Sequence, residues 1–123
     1  MLNLTKAVIA GAVLIAAPTV QAQTNPQAQA KEKAGAVLCA SYESLAGQIM
    51  ENRQVHVDLS KMMSLAESLD VSQENRAFIK GMIMSAYQSP AYESAEYQAN
   101  AISEFKTKVS VACYQALIAA ETK

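Results

Sequence analysis

The sequence predicts an all-α domain of four helices whose first and last members are joined by a disulfide. Apolar residues recur at three- and four-residue spacings over four separate stretches, the mark of amphipathic helices. Glycine and proline are sparse, four and three in the whole chain, which favours long helices with short turns. The only cysteines, Cys39 and Cys113, fall on the apolar stripes of the first and last stretches.

The pairing of those cysteines follows from the start of the chain. Lys6 precedes an apolar run at 7–17, followed by Pro18, Thr19 and the small-residue pattern Val20-Gln21-Ala22. A positive n-region, a compact h-region and a small residue at the cut describe a secretory signal peptide over residues 1–22. The apolar run is far shorter than the ~20 residues of a spanning helix, so no stable membrane anchor is expected after cleavage. The compact leader points to the periplasm. In an oxidising compartment an even cysteine count reads as a bridge. A Cys39–Cys113 bridge closes most of the mature chain and contributes about 4 kcal/mol on chain-entropy grounds.

Residues 23–33 are polar, include Pro26 and lack an apolar period, so they read as a flexible tail or a frayed helix start. The helical domain is expected over 34–123. Its first helix, at about 34–53, carries Leu38, Cys39, Tyr42, Leu45, Ala46, Ile49 and Met50 on one stripe. Val55-His56-Val57 reads as extended. Asp58 is a good N-cap for a second helix striped by Leu59, Met62, Met63, Ala66 and Leu69, with Val57 positioned to staple onto Met62. Ser72 caps a third helix that buries Phe78, Ile79, Met82, Ile83 and Ala86. Gly81, mid-helix, costs about 1 kcal/mol against alanine and suggests a close helix crossing. Pro90 disfavours helical geometry at Ser89 and ends that helix. Ser94 caps the last helix, where Ala101 or Ile102, Phe105, Val109, Ala112, Cys113, Ala116, Leu117 and Ala120 form the longest clean stripe.

Composition narrows the function. The whole chain has a formal net charge of -1, and losing Lys6 with the leader makes it one unit more negative. Basic residues are scattered, which argues against nucleic acid and against anionic lipid surfaces. With no tryptophan and two phenylalanines, the core must be built from Ala, Leu, Ile, Val and Met. Such a small core benefits from a staple.

No catalytic constellation stands out. His56 is the single histidine, and Asp58 could orient its ring. There is no Gly-x-Ser-x-Gly elbow, and both thiols are committed. No H-x-x-x-H, E-x-x-H or C-x-x-C spacing offers a metal site, and no glycine-rich loop offers a nucleotide site. Met62, Met63, Met82 and Met84 could suggest copper(I), but three of them lie on core stripes where methionine acts as filler. The carboxylates fall on wet helix faces without an aromatic cleft for a sugar. No metal and no cofactor is expected. The best candidate surface is the corner Tyr87, Pro90 and Tyr92 with Tyr97, because tyrosine combines apolar area with a polar handle. The plainer reading is a packed helix corner whose phenols bond backbone.

The order Leu45-Ala46-x-x-Ile49-Met50-x-x-Arg53-Gln54, then Ala86-Tyr87-x-x-Pro90-x-Tyr92, Ala101-Ile102-x-x-Phe105 and a closing Cys113 resembles a loose group of short exported bacterial and phage-borne helical proteins. That resemblance covers about residues 38–114 and implies the fold and the compartment, not an activity. The architecture is also similar to the acid-stress periplasmic chaperones of the HdeA kind, which are small, helical, exported and carry one disulfide. That likeness is one of fold level alone. The expectation is therefore a non-enzymatic exported protein that binds a protein partner or itself. The alternatives are an acid-stress chaperone and, third, a small enzyme using His56.

Overall fold

The computed structural model describes residues 26–122. The predicted leader, its cleavage site and the first residues of the polar segment lie outside that range. Among the described residues there are four helices and no strand: α1 Pro26–Gln54, α2 Leu59–Glu67, α3 Gln73–Tyr87 and α4 Ala95–Glu121. The four-helix reading holds, and the Cys39–Cys113 disulfide ties α1 to α4 with a Cα–Cα distance of 5.6 Å across a sequence separation of 74.

The first helix begins at Pro26 rather than near residue 34. Proline suits a first helical turn, where its missing N–H has no intrahelical partner to lose. The alanines that follow are strong helix formers. Residues 26–34 are helical yet exposed.

α1 is the hub. It packs on α4 and on α3, and α2 packs on α3. The core holds Ala46, Ile49 and Met50 of α1, Met62 and Ala66 of α2, Ile79, Met82, Ile83 and Ala86 of α3, and Ala101, Phe105 and Val109 of α4. Methionine is filler here: Met50 and Met62 are buried, Met63 packs against the cluster, and Met84 is exposed.

Three junctions set the topology. His56 adopts φ 64°, the left-handed conformation, not the extended one expected for 55–57. The Val57 N–H donates to Asn52 O at 2.9 Å and the His56 N–H to Arg53 O at 3.1 Å, the two bonds of a Schellman ending. Ser72 and Ser94 cap α3 and α4 by accepting from the Asn75 and Tyr97 amides, both at 3.2 Å. Asp58 occupies the cap position of α2 without a side-chain bond. Val57 packs on the core cluster that contains Met62, as a staple would.

Five stripe expectations need correction, the first being Leu38, which lies one turn before Tyr42 on α1 and is 42% exposed. Gly81 has nothing within 4 Å of where a Cβ would stand, so no close crossing explains it. Phe78 is 41% exposed and packs its ring at a tilt against Tyr42, with centroids 4.5 Å apart. Leu69 is exposed because α2 ends at Glu67. On α4 the stripe is buried only as far as Cys113. Ala112, Ala116 and Ala120 are exposed and Leu117 is half-buried, because α3 does not reach that far along the bundle.

Candidate functional site

The corner between α3 and α4 is assembled from the end of α1. Gln54 is the buried polar residue of the core, 2% exposed. Its amide nitrogen donates to Pro90 O at 3.0 Å, and its Oε1 accepts from the Tyr92 N–H at 2.7 Å. One side chain therefore satisfies two backbone groups that Pro90 keeps out of any helix. Next to it, Arg53 Nε donates to Ser89 O at 3.0 Å, and its guanidinium sits 5.2 Å from the Tyr87 ring centroid. The Tyr87 hydroxyl donates to Val57 O. Burial raises the Tyr87 phenol pKa, while Arg53 pulls it back and Asp58 adds to the rise.

The four candidate residues thus separate. Tyr87 and Pro90 have their polar groups taken up by the corner itself, as the plainer reading supposed. Tyr92 and Tyr97 form a surface pair with centroids 5.8 Å apart, and Tyr97 is 61% exposed. Gln98 steadies the pair by donating to Tyr92 O at 2.7 Å. Arg53 and Gln54 stand in the sequence as the end of the motif at 45–54. Their long-range role was not legible, because it joins segments 36 to 38 residues apart that meet only in the fold.

A second surface was missed. Past the disulfide, α1 and α4 continue as a two-helix arm. Val111, Tyr114 and Ile118 lie at i, i+3 and i+7 on α4, facing away from Phe105, Val109 and Cys113, and are 48%, 45% and 59% exposed. No charged residue occurs over 109–120. The signal was in the sequence as a helix apolar on more than one side, which a single-stripe reading absorbs into the core.

His56 stands at the exposed α1–α2 turn, in a conformation set by the helix ending. Among the described residues no cluster of three or more His, Cys, Asp or Glu could hold a metal ion. No helix among them is long and apolar enough to cross a membrane. The described carboxylates are all exposed except half-buried Glu43, and the ion pair among these residues is Lys80–Glu67. The disulfide fits an oxidising, extracytoplasmic location. No family model, curated protein or solved structure matches the chain.

Proposed function

We propose that this chain is a small, non-enzymatic exported protein of the periplasm that docks a protein partner through the outer side of its two-helix arm. The observation that carries the reading is the stripe Val111–Tyr114–Ile118, exposed on a helix segment without charge. Exposed apolar residues in sequence-spaced register mark interaction surfaces, and tyrosine is enriched where such surfaces bind. A charge-free face suits an apolar, uncharged patch on the partner, because a charged group buried against it would be left unpaired. The disulfide and the leader together support the compartment.

The two alternatives draw less support. An acid-triggered chaperone needs internal carboxylate contacts that protonation would break, and the described carboxylates are nearly all on the surface. Catalysis by His56 needs a nucleophile or base within reach, and its ring stands alone on a turn.

The test is affinity capture from a periplasmic extract with the wild type and with the Tyr114→Ser/Ile118→Ser variant. A specific partner retained by the wild type and lost by the variant, with unchanged thermal unfolding, is the expected result. Equal recovery by both, or no partner at all, would count against the reading.

A further inference from the structure

The outer face of α1, turned away from α3 and α4, carries a pattern the preceding reading does not use. Lys33, Val37, Ala40, Ser44, Gln48 and Glu51 share it, and all six are exposed. Lys33 and Glu51 are about five helical turns apart, so they point the same way and stand about 27 Å apart along the axis. Neither side chain has a hydrogen bond or ion pair among the described residues. Between them the crest of the face is uncharged, and on one flank Glu43 and Lys106, of opposite sign, border it. Ala40, Ser44 and Gln48 border grooves on both flanks, one reaching Val37 and Leu45, the other reaching Gly47 and Lys106.

A face that is basic at one end, acidic at the other and small in the middle is its own complement when reversed. We propose that α1 pairs antiparallel with α1 of a second copy, about a two-fold axis at the level of Tyr42. That reversal sets Lys33 of each copy opposite Glu51 of the other and lays Ala40 over Ser44. It brings Val37 of each copy to the level of Gly47 in the other, beside the groove that Lys106 borders. A two-fold interface makes every contact twice, so both ion pairs form together. Parallel pairing in register would instead oppose lysine to lysine and glutamate to glutamate. Exposed ion pairs add little affinity, so their part is orientation, while the small residues let the helices approach closely. The crossing must be shallow, about 20° and not about 50°, or the two ends separate beyond lysine's reach. This pairing is independent of the α4 stripe, and the outer side of α4 in the arm remains free for another partner.

The test is sedimentation velocity on the purified chain with its disulfide intact, at low salt and up to about 1 mM, the weak end of specific association. The wild type is expected to dimerise. Lys33→Glu and Glu51→Lys should each weaken the dimer about threefold or more, since two exposed attractive pairs become repulsive. The exchanged variant Lys33→Glu/Glu51→Lys should recover wild-type association. Ser44→Glu should abolish it without changing thermal unfolding of the dilute protein. A wild type that stays monomeric overturns the proposal. So does an exchanged variant no better than the single ones, or a dimer that survives Ser44→Glu but not Tyr114→Ser/Ile118→Ser.

Discussion

Helices α1 and α4 run through both the body of the bundle and the arm beyond the disulfide, yet the two regions differ in kind. Within the body, Ile49 and Met50 of α1 are 2% and 1% exposed, and Phe105 and Val109 of α4 are 5% and 7% exposed. In the arm the one fully buried residue is Gly35, against which Leu117 packs so closely that a Cβ would stand 2.7 Å from Leu117 Cδ1. Leu38 continues the side of α1 that meets α3 in the body, but it is 42% exposed. Composition separates the two regions only in part, because the first turns of α1 are polar while Leu38, Leu117 and Ile118 are as apolar as the core residues. What separates them is α3, which covers one and stops short of the other. A periodic stripe becomes core only where a further element covers it, and the disulfide stands where that cover ends.

The largest test of this contrast removes the boundary. Cys39→Ala/Cys113→Ala should lower stability by about 4 kcal/mol from the loop entropy alone, read by chemical denaturation. Helicity should fall chiefly in the arm, since two short paired helices are marginal without a packed face. Second is Gln54→Leu, which leaves the Pro90 carbonyl and the Tyr92 amide unpaired in a partly buried corner. A loss of about 2–3 kcal/mol is expected from two orphaned backbone groups, with the arm's helicity unchanged.

Glycine offers a matched comparison. In the body, Gly81→Ala meets nothing and should gain about 1 kcal/mol. In the arm, Gly35→Ala should gain less or lose, because the Leu117 side chain must move aside. His56→Gly should also stabilise by about 1 kcal/mol by relieving a left-handed conformation. The smallest effect is alkaline. Burial raises the Tyr42 and Tyr87 phenols, both in the body, above their ordinary value of 10.0. Between the unfolded and folded pKa values the native state holds more protons, so stability falls as pH rises. Thermal midpoints should therefore be flat below about pH 10 and decline above it.

Much of this was legible in the sequence. Ser72, Ser94 and Pro90 mark helix boundaries through local chemistry, and periodicity placed both cysteines facing each other. Three features were not legible, each for a physical reason. The outer stripe of α4 was hidden because alanines filled the space between two apolar faces. The left-handed turn at His56 lacked the glycine that usually signals it. The grip of Gln54 on the α3–α4 corner depends on residues far apart in sequence. Of the candidate site, the tyrosines were found, but which of them face solvent depended on where Arg53 and Gln54 reached.

Hydrogen exchange resolved along α1 and α4 in the dilute, oxidised chain tests the central claim most directly. Amides of 40–54 and 99–109 should exchange only through global unfolding. Those of 26–37 and 115–121 should exchange by local opening, faster by at least two orders of magnitude, with the change falling at Cys39 and Cys113. Uniform protection along both helices would contradict the account, because the arm would then be as firmly packed as the body.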